Sequence, residues 1–101
     1  LLLQPLNFLI MEKYIILSGA SGEQFYVSAD TIYAVVDTSS TPHRVVLMYP
    51  GKRIGVVGVS DMVQGDVDAI NAALAACWSQ PYTEPTISVT LLQDVTEVSP
   101  L

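Results

Sequence analysis

The residues that could support catalysis are few. The chain contains one histidine, His43, and one cysteine, Cys77. An imidazole-based mechanism would have to use His43, and a triad could be drawn only with Ser39 and Asp37, which are residue types common in loops. The sequence lacks the G-x-S-x-G pattern of a nucleophile elbow. We therefore expect no catalytic residues, predict that the protein is not an enzyme, and expect His43 to face solvent.

Metal and cofactor sites are not indicated either. Acidic residues are densest at Asp61, Asp66 and Asp68, but their spacing is not that of a calcium loop. A single cysteine and a single histidine do not supply a zinc ligand set, and a lone cysteine cannot form an internal disulfide. The glycine-containing segment 18–22 fits neither phosphate-binding pattern, because a strand rather than a helix follows it. We predict no metal and no cofactor.

Three of the four basic residues lie on one predicted hairpin. Arg44, Lys52 and Arg53 form a locally basic patch on a chain of formal net charge -6. The acidic balance argues against nucleic acid and against anionic membranes as partners. The patch supports an alternative function, a small-ligand or anion-binding module that uses the sheet face near Arg44 and Arg53. Ion pairing between subunits is the preferred explanation, so a small ligand is not the expected partner.

The sequence predicts one helix, over residues 66–78. Segment 66–78 carries apolar residues at helical spacing, begins with acidic residues that suit the positive end of a helix dipole, and is followed by Pro81. Burying the stripe contributes roughly 7–15 kcal/mol gross. The stripe consists of Val67, Ile70, Leu74, Cys77 and Trp78.

Strand-like segments flank this helix. The Pro50-Gly51 turn predicts a hairpin in which Leu47 faces Ile54 and Met48 faces Arg53. We predict an α+β, mainly β fold: a curled antiparallel sheet of five or six strands, forming a partly open barrel, with helix Asp66–Trp78 packed on it. A flat sheet with the helix on one face is the alternative. The predicted strands are 13–18, 24–27, 31–36, 43–49, 52–59 and 86–92, and segment 95–101 either extends an edge or frays.

The scarcity of charge points to a covered surface. Only 14% of residues are charged and 50% are hydrophobic, so a domain of this size exposes much uncharged surface, which is typical of contact with another chain. We therefore predict a non-enzymatic, self-associating structural or accessory module that forms a homo-oligomer. The expected contacts are the alanines on the back of the helix and apolar residues near the N-terminus: Ala69, Ala72, Ala76, Leu2, Leu3 and Phe8.

The first ten residues form an apolar segment before Met11, which resembles a start of translation. We expect 1–10 to be an extension, either a cloning remnant or an extension of the reading frame, and 11–101 to be a single small domain. Alternatively, residues 1–10 belong to a longer natural chain of which this sequence is a piece. The segment lacks a basic start and a cleavage site, and no apolar run approaches the ~20 residues of a membrane span. The chain is thus expected to be neither secreted nor transmembrane.

Several segments carry a resemblance to a known group of proteins. The runs MEKYI at 11–15, SADTI at 28–32, YPGKR at 49–53 and AINAAL at 69–74, with Trp78 behind them, occur in that order. They resemble small proteins of tailed bacteriophages that infect marine cyanobacteria, over most of the chain after the first ten residues. The resemblance implies a viral or marine origin, a virion-associated role, and a location in the host cytoplasm or the virion. It implies no catalytic residues.

Overall fold

A computed structural model describes residues 12–31 and 33–101. Over these residues the chain forms seven strands and one helix. The strands are β1 (Tyr14–Ser18), β2 (Phe25–Ser28), β3 (Tyr33–Asp37), β4 (Arg44–Tyr49), β5 (Lys52–Gly58), β6 (Thr86–Thr90) and β7 (Val95–Pro100). The helix, α1 (Gln64–Ser79), lies between β5 and β6 and is slightly longer at both ends than predicted.

The strands form two sheets. One has the order β2-β1-β6, in which β1 and β2 are antiparallel and β1 and β6 are parallel; the other has the order β3-β4-β5-β7 and is antiparallel throughout. Seven strands and one helix confirm the predicted α+β, mainly β class. The sheets are partly curled and do not close into a barrel. Segment 95–101 follows the first of its two expected courses, because β7 extends the edge beside β5.

The β4–β5 hairpin has the predicted register. Leu47 pairs with Ile54, and Met48 pairs with Arg53. Gly51 takes the positive φ of 76° that this tight turn needs and that glycine adopts without strain. Because side chains alternate along a strand, Leu47 joins the core while its neighbour Met48 lies on the opposite face.

The helix packs against β1, β3 and β6 and buries most of its apolar stripe. Val67, Ile70, Leu74 and Cys77 are buried as predicted. Trp78 is not: its side chain is 50% exposed, and its indole nitrogen Nε1 donates to the Ala29 carbonyl at 2.7 Å. The ring lies in the last turn of α1 and covers Lys13 instead of entering the core.

Buried charged side chains hold both ends of the helix. At the N-terminus, Asp66 is fully buried, and its carboxylate accepts from the backbone N–H of Val63 at 3.0 Å and of Leu92 at 2.9 Å. At the C-terminus, the ammonium of Lys13 donates to the carbonyls of Cys77 at 2.7 Å and Gln80 at 2.8 Å. These bonds place a carboxylate at the N-terminus of the helix and an ammonium at its C-terminus, where each charge complements the helix dipole.

The β1–β2 turn and the β6–β7 connection approach one another closely. The Asp94 carboxylate accepts from the backbone N–H of Ser21 at 3.0 Å and from its hydroxyl at 2.9 Å. A Cβ placed on Gly19 would lie 2.5 Å from the Asp94 Cα and 2.6 Å from its backbone nitrogen. Only glycine fits here, so Gly19 allows the β1–β2 turn to contact the β6–β7 connection.

Candidate functional site

The side of the four-stranded sheet that faces away from the core is the candidate site, and we call it the outer face. Its residues follow from the strand register and form three rows that cross the sheet from β3 to β7. The first row is Tyr33, Met48 and Arg53, continued by Leu101 just beyond β7. The second row is Val35, Val46, Gly55 and Ser99. The third row is Asp37, Arg44, Val57 and Glu97.

A shallow groove of about 390 Å³ lies on the outer face. Val46 contributes to its floor and is only 4% exposed, whereas Tyr33 at 46% and Val35 at 39% remain open to solvent. The side chain of Leu101 comes within 3.1 Å of the position that a Gly55 Cβ would occupy. The absence of a side chain at Gly55 therefore lets Leu101 lie across the sheet beside the groove.

An ion pair closes one end of the groove. Arg44 Nε donates to Asp37 Oδ2 at 2.9 Å, and Ser39 donates to Oδ1 from its hydroxyl at 2.6 Å and from its backbone N–H at 2.9 Å. The Ser39 hydroxyl, its backbone N–H and the Arg44 guanidinium together lower the pKa of Asp37 to about 2. Asp37 therefore stays ionised at neutral pH, and its carboxylate offsets the charge of Arg44.

The cations predicted to form one basic patch are divided between two faces. Arg44 and Arg53 both line the groove, and the described residues give Arg53 no ion pair. Lys52 lies on the other side of the sheet, with its Nζ 5.3 Å from the centroid of the Tyr49 ring. Consecutive residues of a strand point to opposite faces, which is why Lys52 and Arg53 are separated. Anion binding by Arg44 and Arg53 stays a prediction.

The predicted oligomer contacts fall in three environments. Ala72 and Ala76 are exposed on the side of α1 that faces away from the core, while Ala69 is partly buried and packs against the core. The other predicted contacts, Leu2, Leu3 and Phe8, lie outside the described residues.

The residues considered for catalysis do not assemble into a triad in the described part of the chain. Asp37 and Ser39 bind each other, but His43 is paired elsewhere: its Nδ1 lies 3.9 Å from Asp61 Oδ2, and its backbone N–H donates to Asp61 Oδ1 at 2.8 Å. Cys77 is buried, and its thiol faces the backbone carbonyls of Tyr14 at 3.7 Å and Pro85 at 3.8 Å.

A smaller cavity of about 180 Å³ lies between the two sheets. The Tyr49 hydroxyl beside it donates to the Ser28 carbonyl at 2.8 Å. Burial, with a smaller contribution from the charge of Asp30, raises the pKa of Tyr49 to about 12. This hydroxyl is therefore a neutral, structural donor that links the sheets.

Two further types of site are not found among residues 12–31 and 33–101. No three histidine, cysteine, aspartate or glutamate side chains in this range converge on a point where a metal ion could bind. Within the same range, α1 falls short of the length and apolarity needed to cross a bilayer.

The sequence carried a signal for the outer face that composition alone does not show. In β4, RVVLMY, apolar residues occupy both alternating sets of positions. An antiparallel strand that is half solvated usually alternates between apolar and polar residues, so this pattern indicates apolar side chains on both faces of the sheet.

Comparison with protein-family models, with curated proteins and with solved structures gives no match.

Proposed function

We propose that the protein is a non-enzymatic structural or accessory module that associates with further copies of itself. The observation that carries this proposal is the outer face of the four-stranded sheet. It presents apolar side chains in two adjacent rows, and no other element of the described chain packs over it. Exposed apolar side chains grouped on one sheet face often mark a surface that contacts another protein chain.

The expected strength of association follows from the exposed side chains. Tyr33, Val35 and Leu101 are each 39–47% exposed. Full burial of such a side chain contributes about 1.5–3 kcal/mol, so covering the exposed half contributes about 1 kcal/mol each, or about 6 kcal/mol over two copies. Association costs at least about 4 kcal/mol in lost translational and rotational freedom. These three side chains alone therefore leave about 2 kcal/mol, a Kd of roughly 30 mM, so a dimer at about 1 mM also requires at least about 2 kcal/mol from polar contacts between the copies. We expect weak association that depends on protein concentration.

Sedimentation equilibrium of the full chain, from about 10 µM to about 1 mM, tests the proposal. The weight-average mass should rise from the 10.9 kDa of one chain towards twice that value. A mass of 10.9 kDa at every concentration would refute self-association.

The resemblance to phage proteins extends the proposal to a virion-associated or accessory component. If the source is a phage, mass spectrometry of its purified particles should detect this chain in an amount that exceeds contamination by host proteins. Its absence from particles, together with its presence in infected cells, would leave the accessory role and remove the virion-associated one.

A second candidate function is supported by the position of Arg53 on the groove. Its guanidinium, beside an apolar floor, suits a small molecule that has an apolar body and one anionic group. A titration with sodium hexanoate, followed by amide chemical shifts, should move the signals of Val46 and Met48, and the variant Arg53→Gln should abolish the response. Unchanged shifts in the parent protein would count against this candidate. Asp37 and Glu97 on the same face disfavour an anion, so self-association is preferred.

A further inference from the structure

We infer that the outer face is the self-association surface, and that two copies pack face to face across a two-fold axis that runs perpendicular to the strands. This inference rests on the proposed function and adds the surface and the geometry. The charges of the outer face, the positions of those charges and the shape of the surface support it.

The outer face is electrically balanced on an acidic protein. It carries Asp37, Arg44, Arg53 and Glu97, two charges of each sign, whereas the whole chain has a formal net charge of -6. The excess negative charge therefore lies elsewhere. Two copies that meet through the outer face bring together equal numbers of positive and negative charges, whereas repulsion opposes contact between acidic surfaces.

The charges of the outer face that have no ion pair among residues 12–31 and 33–101 complement each other between copies. Arg53 lies in the first row on β5, and Glu97 lies in the third row on β7. An axis along the middle row places the first row of one copy over the third row of the other. Arg53 then lies one strand spacing, about 4.8 Å sideways, from Glu97 of the second copy, with the sheets about 10 Å apart. An arginine side chain spans such a gap.

The remaining charged pair can enter the interface without losing its partners. Asp37 already accepts from Arg44 and from Ser39, so its carboxylate keeps these bonds when water is excluded. A buried ion pair with both members bonded is tolerated, whereas a single unpaired charge is not. The two-fold arrangement thus leaves no charge of the outer face unpaired.

The shape of the outer face also fits a second copy. Leu101 lies across Gly55 as a raised apolar group, and the groove lies beside it. With each strand lying over the same strand of the second copy, the two Leu101 side chains meet near the axis, where the missing side chain of Gly55 leaves room for them. Four strands about 4.8 Å apart and three rows about 6.7 Å apart give roughly 300 Å² per copy in projection, which is well below the ~800 Å² per partner of a standard interface, so the contact should be weak.

Charge reversal at Arg53 and Glu97 tests the inference. In sedimentation equilibrium, Arg53→Glu and Glu97→Arg should each weaken association about tenfold, because each places like charges together. The double variant should restore association to within about threefold of the parent protein. Both side chains are exposed, so all three variants should fold, which circular dichroism and the melting temperature verify.

A matched control lies on the helix. Ala72→Lys places a charge on the exposed side of α1 and should leave association unchanged. Association that is unaffected by both single charge reversals, or that is lost in Ala72→Lys, would overturn the outer face as the interface and leave self-association itself standing. A parent protein that is monomeric throughout would instead refute the proposed function. Failure of the double variant to recover would overturn the two-fold geometry.

Discussion

Replacement of Lys13 by methionine should destabilise the protein strongly. The Lys13 ammonium is buried, donates to the carbonyls of Cys77 and Gln80, and lies 5.3 Å from the centroid of the Trp78 ring. Methionine keeps most of the length and the apolar stem of lysine but cannot donate a hydrogen bond. Lys13→Met therefore removes the cap from the C-terminus of α1 while it preserves the packing.

The magnitude follows from these contacts. Hydrogen bonds to a charged group contribute about 1.5–3 kcal/mol each, and the contact between the cation and the aromatic ring adds about 1 kcal/mol. Desolvation of the ammonium offsets about 2–3 kcal/mol of this sum. The free energy of unfolding should therefore fall by about 2–4 kcal/mol, with a decrease in Tm of about 10–20 °C for a domain of this size.

Urea unfolding, followed by far-ultraviolet circular dichroism and by the fluorescence of Trp78, measures this change. Lys52→Met is a matched control, because Lys52 also lies 5.3 Å from an aromatic ring centroid, that of Tyr49, but is exposed and lies on the hairpin. The control should lose less than about 1 kcal/mol. Equal losses in the two variants would refute the assignment of Lys13 as the cap of α1.

Three further predictions concern other close contacts. Gly19→Ala should lower the free energy of unfolding by about 2–3 kcal/mol in chemical denaturation, because its new methyl group would overlap the Asp94 backbone; an unchanged midpoint would show that this turn yields freely. Asp66→Asn should cost about 1–3 kcal/mol in the same assay, because an amide supplies one acceptor oxygen to the two backbone N–H groups that the carboxylate binds; loss of less than about 0.5 kcal/mol would contradict that role. In an absorbance titration at alkaline pH, one tyrosine should ionise near pH 12 and disappear from the curve in Tyr49→Phe. The raised pKa of Tyr49 means that its contribution to stability is complete below about pH 10 and is lost as the pH rises towards 12, so the Tm of the parent protein should fall more steeply over that range than the Tm of Tyr49→Phe.

Local patterns in the sequence predict the parts of the fold that depend on nearby residues. The helical spacing of Val67, Ile70 and Leu74 indicates both the helix and its buried side, since these positions recur with the period of an α-helix. The Pro50-Gly51 turn determines the register of β4 and β5, because a short turn leaves one pairing of the flanking residues.

Contacts between distant residues could not be predicted in this way. Alternation in Thr86–Thr90 shows which side chains are buried but not that the strand runs parallel to β1. Lys13 stands in a strand-like segment, and lysine is almost never fully buried without a partner; its partners are carbonyl groups, which carry no signal in the sequence.

The candidate site was predictable in part. The pairing of Met48 with Arg53 places both on one face, and the predicted hairpin already implied it. The same alternation also implies that Lys52 and Arg53 point apart, so a single basic patch was inconsistent with the hairpin. The ion pair of Arg44 with Asp37 depends on how β3 lies beside β4, which the turn chemistry of the intervening loop does not determine.

The parallel pairing of Tyr14 with Thr86 has a consequence for biosynthesis. β1 is synthesised first, yet β6, the strand that completes its hydrogen bonding, is synthesised only after β2 to β5 and α1. Until then the nascent hairpin of β1 and β2 lacks both its third strand and the helix, so its apolar side stays open to chaperones. Completion of this sheet therefore waits for the synthesis of β6, and the long separation of β1 from β6 in the sequence, more than local strand formation, sets its timing.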